Sequence, residues 1–228
     1  MKQINPQTTI KLLDEIINQE SKIVEVDGLR IKTRKNVFPP KSDVSRTSEK
    51  MHTLFGNVQG KTVLDVGTGT GVQAIHAAVG GASHVVAVDI NLDAIICAKE
   101  NVVLNHVEDI VDVRESDLFS AVKTDERFDI IIANLPITDY PVSGIVESAL
   151  YDPDYELHKR FFEKAKEFLT PTGSIIMTHI NFHGNEDFVE FEKMVYHYGY
   201  YIERYDETSA IGYLWRKYII KYKHINEK

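Results

Sequence analysis

The chain has 228 residues, a formal net charge of −8 and a hydrophobic share of 43%, as is ordinary for one substantial globular domain with an extension. The acidic balance argues against broad electrostatic binding to nucleic acid, and the single cysteine, Cys97, excludes an internal disulfide. No run resembles a signal peptide or a membrane span, so we predict a cytoplasmic protein without a membrane partner.

Residues 1–59 predict an N-terminal extension of helix, hairpin and helix. Apolar residues recur at helical spacing over 9–19, which predicts an amphipathic helix. Asp27-Gly28 separates two short alternating runs and is a strong hairpin signal. A second helix is predicted over 42–55. We assign residues 60–228 to the main domain.

From residue 61 onward, strand and helix patterns alternate, which predicts an α/β fold with a doubly wound, mostly parallel sheet. The last two strands adjoin each other and predict an antiparallel C-terminal edge. We read the basic and aromatic run in the final strand as an edge guarded by lysines rather than as a surface for RNA. The predicted strands are 62–66, 85–89, 110–114, 128–134, 174–178, 200–205 and 213–222, and the predicted helices are 72–79, 92–104, 155–169 and 187–198.

A glycine-rich loop follows the first of these strands, in the run Val63-Leu64-Asp65-Val66-Gly67-Thr68-Gly69-Thr70-Gly71. The glycines let the chain turn sharply and let a ligand approach bare backbone at the start of a helix. The next strand ends in Asp89, whose carboxylate is placed to accept both hydroxyls of a ribose. Together these features predict a nucleoside-type cofactor pocket at the carboxyl ends of parallel strands.

Two cofactor classes compete for this loop. Residues 69–74 also satisfy the G-x-G-x-x-A dinucleotide pattern, so a nicotinamide-dependent oxidoreductase remains an alternative. The carboxylate of Asp65, just before the glycines, would repel a pyrophosphate and would attract the ammonium group of an amino acid. The acid therefore favours a cofactor that carries an amino-acid moiety.

Four motifs, at residues 63–71, 86–90, 116–119 and 129–136, together resemble those of the class I S-adenosylmethionine-dependent methyltransferases. The extension ahead of them is similar to the "small-domain" branch, which includes the release-factor glutamine N5-methyltransferases. The resemblance implies a Rossmann-like sheet of seven strands and S-adenosyl-L-methionine as the cofactor. It also implies that the glycine loop holds the methionine part, that the second acid takes the ribose, and that the third acid takes the adenine amino group. The cofactor-binding residues so implied are Asp65, Gly67, Thr68, Gly69, Gly71, Asp89, Ile90, Asp117 and Leu118.

Asn134 and Pro136 are the candidate catalytic residues. The run Asn134-Leu135-Pro136-Ile137 resembles a degraded form of the Asn-Pro-Pro-Tyr motif of amino-group methyltransferases. In that family the asparagine accepts hydrogen bonds from the target NH2 group, and the aromatic residue stacks on the planar target. Here Ile137 replaces the aromatic residue, and Tyr140 is a candidate substitute. Alternatively, Asn134 shapes the turn or contacts the methionine part of the cofactor.

Residues 135–155 are long for a link from strand to helix and predict a substrate loop or lid. We also expect residues 38–40 and 46–47 to lie over the cofactor, as the resemblance implies. The nine histidines show no spacing typical of a metal site, so none is predicted.

The combined prediction is a methyltransferase acting on the nitrogen of a protein glutamine or of another amide or amine. A small-molecule methyltransferase and a scaffold that binds the cofactor without catalysis remain alternatives, beside the oxidoreductase. The expected partner is the methyl acceptor, which is a protein or a small molecule rather than a nucleic acid.

Overall fold

A computed structural model describes residues 6–41, 51–182, 184–210 and 212–223. The helices are α1 (Pro6–Asn18), α2 (Val72–Val79), α3 (Leu92–Leu104), α4 (Glu156–Ala165) and α5 (Asn185–His197). The strands are β1 (Ile23–Val26), β2 (Leu29–Lys32), β3 (Thr62–Val66), β4 (His84–Asp89), β5 (Val111–Glu115), β6 (Phe128–Ala133), β7 (Leu169–Ile180), β8 (Tyr200–Ala210) and β9 (Tyr213–Tyr222). Short 3₁₀ turns cover Met51–Leu54, Glu147–Ala149 and Pro153–Tyr155.

The main sheet has seven strands in the order β5-β4-β3-β6-β7-β9-β8. The pairings from β5 to β7 are parallel, and β9 pairs antiparallel with both β7 and β8. This topology confirms the predicted doubly wound α/β sheet with an antiparallel C-terminal edge. The strand order reverses at β3, which has β4 on one side and β6 on the other. Such a reversal opens a crevice at the carboxyl ends of the strands, where ligands of α/β folds bind.

Both faces of the sheet are buried. On β3, Val63 packs in a cluster on one face, while Leu64 and Val66 pack in a second cluster on the other. The first cluster includes residues of α2 and α3, and the second includes residues of α4 and α5. Burial on both sides explains why the central strands read as continuous apolar runs rather than alternating ones.

The N-terminal helix and hairpin form as predicted. The hairpin turns at Asp27 and Gly28, both with positive φ (48° and 87°), which is the conformation that an Asp-Gly turn favours. Leu29 and Ile31 of β2 enter the same core cluster as α2, and the side-chain oxygen of Asn101 accepts a hydrogen bond from the backbone N–H of Lys32 at 2.7 Å. The extension therefore packs directly on the main sheet's helices. The division at residue 59 stays a prediction.

The predicted helix over 42–55 falls largely on residues 42–50, which lie outside the described residues. Its last part is the 3₁₀ turn Met51–Leu54. Cys97 is buried on α3, where its Sγ donates to the backbone oxygen of Lys32 at 3.3 Å. Burial raises the pKa of this thiol to about 12, which keeps it unreactive at neutral pH.

The boundary between α4 and β7 differs from the prediction. The helix predicted over 155–169 ends at Ala165, and the strand predicted from 174 begins already at Leu169. Pro171 and Gly173 can lie within this strand because the pairing of β7 with β6 is irregular between Phe128 and Ile130. A bulge of this kind tolerates a proline that has no N–H to donate. Gly173 is required there, since a β-carbon would lie 2.9 Å from the backbone oxygen of Phe128.

The predicted position of the final strand is also wrong. β9 lies between β7 and β8, and β8, which extends to Ala210, forms the edge instead. Lys217 and Tyr218 of β9 are buried, and Arg216 pairs with Glu192 and Glu207 at 3.0 and 2.8 Å. The side chains of the basic run are thus largely buried or ion-paired within the fold. Within the described part of the chain, no helix has the length and apolar character needed to cross a bilayer.

Candidate active site

A cavity of about 500 Å³ opens at the carboxyl ends of β3, β4 and β6. This volume lies within the range of pockets that bind small molecules and cofactors. Ten of the eleven residues predicted from the sequence line it, namely Asp65, Gly67, Thr68, Gly69, Asp89, Ile90, Asp117, Leu118, Asn134 and Pro136. The structure thus brings four separate motifs together around one space.

The glycine loop presents bare backbone to the cavity. Gly67 and Gly69 have φ values of 71° and 55°, in the left-handed region that favours glycine. A β-carbon on Gly69 would meet no atom within 4 Å, so the space beside it is open to a ligand. Gly71 is the predicted residue that does not line the cavity. A β-carbon there would lie 3.2 Å from that of Ala98, so this glycine allows α3 to pack closely instead.

Asp65 places a buried carboxylate behind the loop. Its Oδ2 atom accepts hydrogen bonds from the Thr68 hydroxyl at 2.6 Å and from the backbone N–H of Ala74 at 3.2 Å. Burial raises the pKa of this carboxyl to about 7, and the negative charge of Asp89 adds to the effect. A cationic ligand group would reverse this shift by stabilising the ionised form.

Asp89 joins the glycine loop to the start of α3. Its two oxygens accept hydrogen bonds from the backbone N–H groups of Gly69 and Asn91, each at 2.9 Å. Burial raises the pKa of this carboxyl as well. The carboxylate is held by backbone on two sides at the cavity wall, and its spare lone pairs remain suited to hydroxyl donors.

Asp117 and Leu118 lie at the end of β5. Leu118 has φ = 49°, a left-handed conformation that is costly for a branched residue and that clusters at functional sites. Ser116 stabilises the turn by donating to the Leu118 carbonyl at 2.8 Å and accepting from the Ala121 N–H at 2.9 Å. The Asp117 carboxylate pairs with Arg160 of α4 at 2.7 Å. Arg160 also lines the cavity, and no local motif marks it in the sequence.

Asn134 lies half-buried where β6 ends, and the chain then forms the opposite wall of the cavity. This wall is held by a bridge between Thr138 and Tyr151, and by the Asp152 N–H, which donates to the Thr138 carbonyl at 2.8 Å. Tyr140 is 58% exposed and does not line the cavity, whereas Tyr151, whose ring centre is 5.1 Å from that of Tyr140, does. On this wall, the aromatic residue that lines the cavity is therefore Tyr151.

Asp152 anchors the same wall to α4. Its carboxylate accepts hydrogen bonds from the backbone N–H groups of Leu157 and His158 at 2.8 and 3.1 Å, and from Nδ1 of His158 at 2.6 Å. Both side chains are buried, and Asp152 also lines the cavity. The sequence analysis missed this residue, because Asp152 itself lies within a loop whose path no pattern predicts.

Residues 37–40 close another side of the cavity. Val37, Phe38 and Pro40 line it, and the expected position of residues 38–40 over the cofactor stays a prediction. The side chain of Asn91 holds the segment in place by donating to the backbone oxygen of Asn36 at 2.7 Å. The other segment expected there, 46–47, lies outside the described residues.

Comparisons with known proteins show which family the chain is similar to. Residues 28–202 match the family model described as "Methyltransferase small domain". The ribosomal protein L11 methyltransferase of Lactobacillus johnsonii is 47% identical over 78 residues, and the release factor glutamine methyltransferase of Fusobacterium nucleatum is 32% identical over 163 residues. These matches include 34% and 65% of this chain, respectively.

The matches span only 24% and 45% of those two relatives' own lengths. Among solved structures, the ribosomal protein L11 methylase of Lactobacillus delbrueckii subsp. bulgaricus superposes with a TM-score of 0.58 at 25% identity. That superposition covers 76% of this chain and 78% of the other.

Proposed function

This chain belongs to the methyltransferase small-domain family, and from that premise we propose that it transfers a methyl group from S-adenosylmethionine to a protein side-chain nitrogen. The observation that carries the proposal is the convergence of Asp65, Asp89 and Asn134 on one cavity beside an open glycine loop. The acceptor that we favour is the amide of a glutamine, or another amide or amine.

The residues of the cavity fit this cofactor. Asp65 suits the ammonium group of the methionine part, and Asp89 suits the two ribose hydroxyls. The open space beside Gly69 admits a ligand against the backbone, and Leu118 offers an apolar contact for the adenine ring. Asp117 is positioned at the same end to accept from the adenine amino group.

The charge of the cavity favours the same assignment over a nicotinamide dinucleotide. The carboxyl groups of Asp65, Asp89, Asp117 and Asp152 all line the wall, opposed by the guanidinium of Arg160. S-adenosylmethionine carries a sulfonium and an ammonium, which this surplus of acids attracts, whereas a pyrophosphate would be repelled.

When bound, the cofactor supplies an already activated methyl group, so the protein's task is binding, alignment and exclusion of water. The side-chain oxygen of Asn134 accepts a hydrogen bond from the acceptor N–H and thereby directs the nitrogen lone pair toward the cavity. Transfer would form an N–C bond as the bond from sulfur to the methyl carbon breaks; the thioether product would leave, and the nitrogen would lose one proton to water. Residues 135–153 cover this side of the site and limit the access of water. Correct positioning alone lowers the barrier of such a displacement by roughly 7–11 kcal/mol.

A planar amide acceptor agrees with the aromatic ring of Tyr151, which compensates for the aromatic residue missing at Ile137. The relatives named for release-factor glutamine and for ribosomal protein L11 support a protein acceptor. The net charge of −8 argues against a nucleic acid as the acceptor. The apolar side chains of Val142 and Ile145 in the same wall keep a small apolar acceptor as the second candidate.

The test has two stages. Isothermal titration of the whole chain with S-adenosylmethionine should show one site, and absence of binding at millimolar ligand by folded protein would overturn the cofactor assignment. Transfer of a radiolabelled methyl group is then measured with release factor, ribosomal protein L11, total RNA and small amines as separate acceptors. Label on a protein side-chain nitrogen supports the proposal. Label on RNA or on small amines alone contradicts the proposed acceptor. Binding of S-adenosylmethionine without transfer of label to any acceptor favours the alternative of a scaffold that binds the cofactor without catalysis.

A further inference from the structure

A second group of polar side chains lies outside the cavity, where the hairpin meets α2. It consists of Asp27 in the β1–β2 turn, His52 in the 3₁₀ turn Met51–Leu54, and His76 on α2. One ligand-capable atom from each lies within 4.8 Å of the other two. Among the residues that the structure describes, this is the one group of three potential metal ligands at such spacing.

The two histidines each bury a nitrogen atom that has no hydrogen-bond partner. These atoms are Nδ1 of His52 and Nε2 of His76. The nearest carboxylate oxygen of Asp27 is 3.6 Å from Nδ1 of His52, which is too long for a hydrogen bond. A buried polar atom without a partner costs free energy, and an ion is one of the recognised explanations for such an atom in a native protein.

The imidazole rings of His52 and His76 stack with their centres 4.1 Å apart and their planes inclined by 17°. Neutral imidazole is the form that offers a lone pair to a metal ion. The stack thus places two potential imidazole ligands side by side.

We infer that Asp27, His52 and His76 form a binding site for a divalent transition-metal ion that clamps the hairpin turn to α2. Two imidazole nitrogens and one carboxylate oxygen are a donor set for zinc, cobalt or nickel, with water completing the coordination. Calcium and magnesium prefer oxygen ligands throughout and are poor matches. The ion would satisfy both orphaned nitrogens at once.

Coordination requires a small local change. Zinc lies about 2.0–2.1 Å from its nitrogen ligands and close to the plane of each imidazole, so one of the stacked rings has to turn. His52 is the ring free to do so, because it lies on a short 3₁₀ turn with its side chain 29% exposed. His76 stays fixed by α2, and Asp27 stays fixed by the tight hairpin turn.

The site has a structural rather than a catalytic character. None of its three residues lines the cavity described above. The side chains flanking the hairpin turn, Val26 and Leu29, belong to the same core cluster as α2. A bound ion would add a cross-link between segments that apolar packing already joins, and it would raise the thermal stability of the whole chain.

The test uses the full chain, free of any histidine tag and stripped of metal by chelator. Titration with cobalt chloride followed by visible absorption, and with zinc chloride followed by calorimetry, should each give one equivalent at micromolar affinity. Zinc should raise Tm by several degrees, and magnesium chloride should have no effect. The variants His52→Ala and His76→Gln should each weaken binding at least about tenfold, because loss of a group that merely supports a ligand already costs about 10–100-fold in metal affinity.

Two variants keep the result interpretable. His84→Ala removes another half-buried histidine outside the group and should bind metal like the unaltered chain. Asp27→Asn changes a turn residue that an asparagine can replace without loss of the turn, so its weaker binding would not reflect misfolding. The inference is overturned if folded protein binds neither ion at millimolar concentration. It is also overturned if His76→Gln and Asp27→Asn bind as tightly as the parent, which would identify adventitious binding by other side chains.

Discussion

The two walls of the main cavity are built in different ways. The wall at the glycine loop is formed by the ends of β3 and β4, where Asp65 and Asp89 accept hydrogen bonds from neighbouring backbone and hydroxyl groups. The opposite wall, residues 134–155, consists of irregular chain and two 3₁₀ turns, held by the Thr138–Tyr151 bridge and by Asp152. One wall is part of the sheet, and the other is a loop attached to it.

This difference suggests a division of labour. A wall fixed by the sheet suits a cofactor whose shape is constant, whereas a loop on the same scaffold suits an acceptor that differs among relatives. If the division is correct, changes in one wall should affect cofactor binding and changes in the other should affect transfer. The following predictions test this separation, from the largest expected effect to the smallest.

Replacing Asn134 with alanine should lower kcat by about 100-fold or more, because the acceptor nitrogen loses its orienting hydrogen bond. The Kd for S-adenosylmethionine should change by less than about threefold, corresponding to under 1 kcal/mol. Single-turnover kinetics and calorimetry on the same preparation measure the two quantities. Asn18→Ala, at an exposed position, is the control. Equal losses in both quantities would show that the two walls are not functionally separate.

Replacing Asp89 with alanine should raise the Kd for S-adenosylmethionine by about 100-fold. The change removes hydrogen bonds to a charged group, each worth about 1.5–3 kcal/mol, and releases the Gly69 and Asn91 N–H groups. Calorimetry measures the affinity, with Asp125→Ala in an exposed loop as the matched control. An unchanged Kd would mean that this carboxylate does not contact the cofactor.

Replacing Asp152 with alanine should lower the free energy of unfolding by about 2 kcal/mol, because three donors, two of them buried, lose their acceptor. Urea denaturation of the ligand-free protein measures this effect, again against Asp125→Ala. If the two variants unfold at the same urea concentration, Asp152 does not anchor the acceptor wall.

The raised pKa of Asp65 predicts that the stability of the folded chain depends on pH. Its pKa is raised from 3.8 to about 7 by burial, so between these values the folded chain holds a proton that the unfolded chain releases. The contribution of Asp65 to the free energy of unfolding is therefore complete below pH 3.8. It is lost as the pH rises toward about 7, at up to about 1.4 kcal/mol per pH unit. Asn at this position does not titrate.

The measurement compares urea denaturation of the parent and of Asp65→Asn from about pH 4 to about pH 8. The difference in unfolding free energy between them should shift steadily in favour of the variant as pH rises, and then level off. A difference that is constant with pH would contradict the burial of an ionisable Asp65. The titration of the other carboxyl groups cancels in the difference, apart from that of Asp89, whose charge interacts with Asp65.

The sequence predicted the glycine-loop wall well because its contacts join motifs that have fixed spacing. Asp65 and Thr68 are close in the chain, and Asp89 meets Gly69 wherever two such strands pair in parallel. Asp152 and Arg160 were missed because their partners depend on the path of an irregular loop and on the packing of α4. The predicted position of β9 was wrong for a related reason. The order of the strands beyond β7 depends on tertiary packing, and no local sequence pattern specifies it.

The most direct test of the central claim is a crystal structure of the chain with S-adenosylhomocysteine. We expect both ribose hydroxyls within hydrogen-bond distance of the Asp89 carboxylate, the amino group beside Asp65, and the sulfur facing Asn134. A ligand bound outside this cavity, or one bound inside it without contact to Asp89, would contradict the account.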